Sequence, residues 1–413
     1  MRASFIALFA GIALSVPAFA QLQVPDVGGT IGGTVGQATD VLGQGIDGTQ
    51  QSLNRDVARL LRARERTLLR LLRRNSDRIE RDANGDLARR GELLALALDG
   101  PARAALSAAG FAVGTGEEIE GLGFSVTTLK IPQGMKLADA QALAERLAPG
   151  IEVSADNLHF QSGAVLATSA SASTSTDRSP TPIGVEVGVI DTAPGARIRV
   201  AGERGFASGA PAPADHGSAV VGLLHSAGVE KIRVADVYGK DPAGGNALAI
   251  ARALGWLTQS GSKVVTISLV GPRNTVLSRA VAAAQARGVV VVAAVGNDGP
   301  AAPAAYPASY NGVVAVTGVD RRNRVLIEAG RALHLDYAAP ADRVYSYDRG
   351  GKMKRWRGTS FATPLVAARI ADALQHGGNW RARSDAEARD LGKRGPDEIF
   401  GRGLLCEGCA QKK

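Results

Sequence analysis

The sequence predicts an α/β protein with a mostly parallel sheet, preceded by a small α+β domain. Beyond Ile183, continuous apolar runs alternate with helical patterns, as expected when helices cover both faces of a parallel sheet. Between residues 92 and 165 the element order reads β-α-β-β-α-β, the split βαβ or ferredoxin-like arrangement. The chain has 413 residues, 45% apolar and only 4% aromatic, with 51 glycines. That composition favours closely approaching helices and sheets over an aromatic-rich barrel.

The first 20 residues carry Arg2, an apolar run and then Ala18, Phe19 and Ala20. This is a secretory signal peptide, with Gln21 the expected first residue after its removal, and it predicts export to the periplasm, the cell envelope or the exterior of a bacterium. The apolar run is short for a bilayer span, and no later stretch is long enough. Residues 21–51 include "VGGTIGGTVGQATDVLGQGIDGT", a Gly/Thr-rich composition that reads as a flexible segment.

Residues 52–91 form an Arg-rich segment. Within it, residues 52–82 are predicted as one amphipathic helix, because Leu53, Val57, Leu60, Leu61, Leu68, Leu71 and Leu72 recur near helical spacing. The stripe is expected to dock on a neighbouring element; peripheral contact with an anionic envelope surface is the other use of such a face. In residues 92–165, "ELLALAL", "FAVGTGEEI", "FSVTTLKIP" and "IEVSADNLHF" read as strands, and "PARAALSAA" and "LADAQALAERLA" as helices. Residues 166–182 are a Ser/Thr/Pro-rich linker, exposed and open to proteolysis.

From residue 183 to 413 the predicted strands are "VEVGVID", "KIRVADVYG", "KVVTISL", "VVVVAAV" and "VVAVTGVD". Helical patterns fall between them in "GSAVVGLLHSAG", "NALAIARALGWLTQSG" and "NTVLSRAVAAAQARG". "RGTSFATPLVAARIADAL" predicts a further helix, with Ser360 at its start and Pro364 in its first turn. Functional groups of such a sheet gather at the carboxyl ends of its strands.

The net charge is +9, yet residues 1–180 hold 18 Lys/Arg against 19 Asp/Glu, so the excess belongs to the second half. That balance suits acidic substrates or anionic surfaces. No basic-aromatic pattern or motif for nucleic acid is present. The two cysteines, Cys406 and Cys409 in "CEGC", read as a local disulfide. A zinc site normally needs four ligands, and no partner pair stands out among five histidines.

Three residues at element edges supply a nucleophile, a base and an orienting acid. Asp191 ends a strand, His216 opens a helix in "DHGSAVVGLL", and Ser360 opens another in "GTSFATP". A serine hydroxyl becomes a useful nucleophile when an imidazole accepts its proton and a carboxylate holds that imidazole. Asp, His, Ser is one of the chain orders in which this triad recurs.

"VGVIDTAPG", "HGSAVVG", "AAVGNDGP" and "GTSFATPLVAA" together resemble the aspartate, histidine, oxyanion-asparagine and serine boxes of the subtilisin-like serine proteases, the subtilases. The resemblance covers roughly residues 183–405. It implies a subtilisin-like three-layer fold and an exported serine endopeptidase made as a proenzyme, with Ser360 as nucleophile, His216 as acid/base, Asp191 orienting it and Asn297 donating to the oxyanion. It implies an extended polypeptide substrate lying along Ser268, Leu269, Val270 and Gly271, with Ala294, Val295 and Gly296 opposite. It also makes residues 92–165 a propeptide that inhibits in cis, with processing in or beside the linker. No cofactor is needed for this chemistry, and the structural calcium common in the family has no D-x-D-x-D-G loop here.

The chain departs from the family pattern at Ala193, Ser218 and Ala219, all small-for-small changes, and at Val270, where glycine is usual. Val270 is expected to crowd the pocket for the residue before the scissile bond and to favour small residues there. A second reading from another class is a catalytically silent, subtilase-shaped binding or scaffold protein of the envelope. A nucleotide-binding domain lacks its G-x-G-x-x-G, and a metallohydrolase its H-E-x-x-H.

Overall fold

Along each central strand, alternate side chains go to opposite faces of one seven-stranded parallel sheet. The computed structural model describes residues 47–161, 164–165 and 181–409, with side chains described from residue 55 onward except at 164–165. The signal peptide, most of the Gly/Thr-rich segment and residues 166–180 of the linker lie outside the described residues. The strand order is Tyr337–Pro340, Val314–Val319, Val290–Ala294, Val264–Ile267, Val187–Asp191, Ile232–Asp236, Gly202–Gly205. Val187, Val189, Val264, Val292, Val314 and Val316 face helices Asp215–Ser226 and Thr359–Gln375. Ile190, Val265, Ile267, Val291, Ala293 and Ala315 face helices Ala247–Gln259 and Thr275–Ala286. Both faces are therefore dry, which is why the strands read as unbroken apolar runs.

The five central strands and the helices between them fall where the apolar pattern predicts. The two edge strands carry weaker signals: Gly202–Gly205 has the sequence GERG and is largely solvent-facing. Helix Thr359–Gln375 starts earlier than the position of Pro364 suggests. Pro364 sits inside the helix and not in its first turn. Lacking an N–H, it leaves the carbonyl of Ser360 without the usual helical donor. Ser268 fills the gap, its Oγ donating to Ser360 O at 2.9 Å.

In the small domain, strand Leu87–Leu96 lies between Ser125–Lys130 and Glu152–Asn157, with Ala112–Glu118 outside Ser125–Lys130; every pairing is antiparallel. Helices Gly100–Ala108 and Leu137–Leu147 cover one face around Leu93, Leu106, Leu129 and Leu137. This is the β-α-β-β-α-β order read from the sequence. The first strand begins at Leu87, five residues earlier than the apolar run "ELLALAL". Its extra residues include Arg89, whose charge hides the strand; its guanidinium meets Asp241 (2.8 Å) and Glu92 (2.8 Å).

The amphipathic helix also ends earlier than its predicted limit of residue 82, at Arg74 in helix Asp47–Arg74. Asn75 closes it by returning its side-chain amide to Leu71 O (3.0 Å). Ile79–Arg81 then forms a strand paired with Leu87–Leu96, and Ile79 is fully buried. The stripe docks within the molecule: Leu68, Leu71 and Leu72 pack on Ile79, Leu87, Leu158 and Ala243, while Val57 meets Ala301. Arg64 binds Asp298 at 3.0 Å. The apolar face proposed for an envelope surface is thus occupied from Val57 to Leu72.

The other face of the small sheet rests on the larger domain. Leu94, Leu96, Ile119, Leu122 and Val126 join the core around helices Ala247–Gln259 and Thr275–Ala286. Gly255 permits that approach, since a Cβ there would lie 2.2 Å from Glu120 O. Strand Glu152–Asn157 ends on the amino termini of both helices. Asp156 accepts from Leu248 N (3.0 Å), and Asn274, which caps Thr275–Ala286, donates to Ala155 O (2.8 Å). His159 follows, fully buried, its N–H donating to Gly245 O (2.8 Å). A Cβ on Gly271 would lie 2.6 Å from the His159 ring.

Gly255→Ala is expected to loosen this docking while leaving the larger domain as stable or about 1 kcal/mol more so, since alanine is the better helix former. Thermal unfolding of the full chain beside the isolated larger domain would separate the two signs; equal destabilisation of both would contradict the account.

Two buried titratable groups at this junction respond to pH in opposite senses. Burial holds the Asp156 carboxyl up at about 7 from its ordinary 3.8. Its support for docking is complete below pH 3.8 and is lost as pH rises through about 7. Burial also holds His159 down at about 4 from 6.5, so its support is complete above pH 6.5 and is lost as pH falls through about 4. In an Asp156→Asn chain, hydrogen-exchange protection of helix Ala247–Gln259 is therefore expected to fall on acidification. In His159→Gln it is expected to fall as pH rises from about 4 to 7.

Candidate active site

Asp191 ends the central strand Val187–Asp191, at the carboxyl edge of the sheet. It is fully buried, so its charge must be met by internal donors. Thr192 supplies its N–H (2.7 Å) and hydroxyl (3.1 Å), and Gln161 its side-chain amide (3.2 Å). His216 Nδ1 lies 2.9 and 2.8 Å from the two carboxylate oxygens. A carboxylate only accepts, so Nδ1 carries the proton and Nε2 presents a lone pair. That Nε2 is buried and has no hydrogen-bond partner.

His216 comes from the first turn of helix Asp215–Ser226. Gly217 lets this turn press against the end of the strand, because a Cβ there would lie 2.1 Å from Thr192 O. Ser218 donates to Ala214 O (2.6 Å) and accepts from Gly195 N (2.9 Å), tying the helix start to the loop after Asp191. Ala219 is fully buried with its carbonyl bonded to Ser346 Oγ (2.7 Å).

Ser360 lies at the start of helix Thr359–Gln375, after Gly358, whose φ of +134° suits only glycine. The side chain next to it, Phe361, packs on the His216 ring with centroids 5.4 Å apart. Ser360 Oγ donates to Ser268 O at 3.2 Å. The hydroxyl therefore bonds the Ser268 carbonyl, and no bond to His216 Nε2 is formed. Such bonds often tighten only when a reacting group arrives.

Asn297 stands beside this helix start. Its Oδ1 accepts from Thr359 N (3.0 Å), which sets the amide's orientation, and its Nδ2 is buried with no partner. An oriented donor with nothing to bind is the arrangement needed where negative charge develops. Gly296, at φ +89°, turns the chain here, and Val270 lies against it: a Cβ on Gly296 would be 3.2 Å from Val270 Cγ1.

Ser268 bonds Ser360 and Val270 lies against Gly296, whereas Leu269 is buried in the core and Gly271 bridges Tyr306; Leu269–Val270 is paired antiparallel with Phe160–Gln161. Ala294, Val295 and Gly296 follow strand Val290–Ala294 to Asn297. A second backbone pairing escaped the sequence reading. Gly245 and Asn246 pair with His159 and Leu158, and Tyr238 donates its hydroxyl to His159 O (2.8 Å). The signal was "GGN" just before a helix: a Cβ on Gly245 would lie 2.6 Å from His159 O, so backbone approaches backbone there.

Cys406 and Cys409 are joined by a disulfide with Cα atoms 5.0 Å apart, away from these groups. Among the described residues no three or more His, Cys, Asp or Glu side chains gather to hold a metal. No helix among them is long and apolar enough to cross a membrane.

A family model described as the subtilase family matches residues 198–403, which include His216, Asn297 and Ser360 and begin after Asp191. Subtilisin Savinase of Lederbergia lenta is 32% identical over 249 residues, covering 55% of this chain and 91% of that protein. Alkaline elastase YaB of a Bacillus species is 33% identical over 245 residues, covering 54% of this chain and 64% of that protein. Fervidolysin from Fervidobacterium pennivorans, a keratinolytic enzyme related to subtilisin, shares the fold with a TM-score of 0.64 at 18% identity. That superposition covers 78% of this chain and 61% of fervidolysin.

Proposed function

The chain belongs to the subtilase family and is a serine endopeptidase of subtilisin-like fold, and from that premise we propose how its own residues do the work. Ser360 Oγ attacks the carbonyl carbon of an extended polypeptide. His216 Nε2 takes the hydroxyl proton and passes it to the leaving amine, and Asp191 holds the imidazole and its positive charge. Asn297 Nδ2 and the N–H groups opening the Ser360 helix receive the oxyanion. Water then releases the acyl group by the same route in reverse. The observation that carries this reading is the partnerless Nε2 of His216, beside the Ser360 turn, with its other nitrogen bonded to buried Asp191.

Residues 1–20 direct export, and the small domain acts as a propeptide, which its docking across the catalytic half supports. The substrate lies between the Leu269–Val270 strand and the segment at Gly245. Val270, pressed on Gly296, narrows the space for the residue before the scissile bond, so small residues are preferred there. The name of the elastase relative fits that preference.

Labelling with a fluorophosphonate followed by mass spectrometry is expected to place an adduct on Ser360, with the uncut precursor persisting only in Ser360→Ala. A folded, mature-length chain that takes no adduct would instead support the silent binding protein. Asn297→Ala is expected to lower kcat by about 10²–10³ with KM little changed, the size of effect known for such a donor in subtilisin. Val270→Gly is expected to raise kcat/KM for phenylalanine relative to alanine at the position before the cut by about 10–200-fold. An unchanged ratio in a peptide library would exclude Val270 as the selector.

A further inference from the structure

Helix Asp47–Arg74 is docked on one side and open to solvent on the other. At about 100° per residue, Arg55, Arg59, Arg62, Arg66, Arg70 and Arg73 fall within an arc of about 80°. All six are exposed. The docked residues, from Val57 to Leu72, centre on the opposite side of the helix. The arginines therefore run in line over about 27 Å, at 1.5 Å of rise per residue.

Little within the chain answers this charge. Residues 55–74 hold eight arginines and two carboxylates. Asp56 pairs with Arg59 (2.9 Å), and Glu65 with Arg81 (3.1 Å). The guanidinium groups of Arg62, Arg66, Arg70 and Arg73 make no hydrogen bond or ion pair among the described residues. Like charges three and four residues apart oppose the helix, and negative charge brought from outside relieves them.

We propose that this stripe docks the chain on a phospholipid bilayer rich in anionic headgroups, with the helix lying flat on the surface. Every cation in residues 55–74 is an arginine, whose planar fork matches phosphate bidentately. The stripe does not converge on a point, so it fits a plane of phosphates and not one small anion. No aromatic residue occurs between residues 47 and 110, so this face offers nucleic-acid bases nothing to stack on. The leucines that would enter the acyl region are covered by Ile79, Leu87, Leu158 and Ala243, which confines the contact to headgroups. Residues 1–20 read as an export signal, which brings the chain to such a surface. On its docked side the same helix touches the loop after Asn297. Arg64 binds Asp298 at 3.0 Å, and a Cβ on Gly299 would lie 3.2 Å from Leu60 Cδ1. A chain seated on the stripe thus holds that loop about one helix diameter, 10–12 Å, from the lipid.

The test uses the full chain carrying Ser360→Ala, which keeps its amino-terminal half attached. Co-sedimentation is measured with vesicles of phosphatidylcholine alone or mixed equally with phosphatidylglycerol. Binding is expected to the mixed vesicles only. It is expected to vanish as salt rises from about 0.1 to about 1 M and the screening length falls from about 10 to about 3 Å. Each arginine near an anionic surface contributes about fivefold. Arg62→Gln, Arg66→Gln and Arg70→Gln together are therefore expected to weaken partitioning about 10²-fold without lowering the unfolding temperature. The same change at Arg321, Arg322 and Arg394, exposed on the larger domain, is expected to leave partitioning unaltered. Equal losses from the two sets would show net charge at work and overturn the stripe, as would binding that survives the high salt. Retention on duplex DNA but not on the mixed vesicles would overturn the lipid assignment.

Discussion

A carboxylate buried at the centre of a sheet must be satisfied from within, and Asp191 imposes that demand on everything around it. Its donors come from its own loop, from the helix carrying His216 and from Gln161 of the small domain. Meeting it fixes the His216 tautomer, and the tautomer decides which nitrogen faces the Ser360 turn. Moving any one of these elements would take away one of its donors in a dry interior, a loss of about 1–3 kcal/mol.

Close approach of backbones is the means by which the site is assembled. Gly217 lets the His216 helix meet the Asp191 strand, and Gly358 permits the turn into the Ser360 helix. Pro364 adds a complementary device. By withholding an N–H it frees the Ser360 carbonyl for Ser268, and Ser268 in turn offers its own carbonyl to Ser360 Oγ. Ser360 and Ser268 are thereby bonded in both directions.

The amino-terminal half uses the same chemistry that a substrate would. Its tail enters by strand pairing, which satisfies backbone groups without demanding particular side chains. Behind the tail, the small sheet buries Leu94, Ile119 and Val126 against two helices whose amino termini receive Asp156 and Asn157 through Leu248 and Asn274. The Arg-rich helix adds a further contact, reaching from Leu158 and Ala243 to Asp298 and Ala301, next to Asn297.

By itself the sequence determined the alternation of strands and helices, the order of the small domain and the boxes around Asp191, His216, Asn297 and Ser360. These are legible because periodicity and short motifs act over neighbouring residues. Only the tertiary structure decided what covers the leucine stripe, where the amphipathic helix stops, that Arg89 extends a strand by meeting Asp241, and which of the tail's residues lie opposite Leu269 and Arg357. Several of those outcomes depend on partners far along the chain, 152 residues for Arg89 with Asp241 and 234 for Arg64 with Asp298, whose charge and shape leave no mark on the local pattern that meets them.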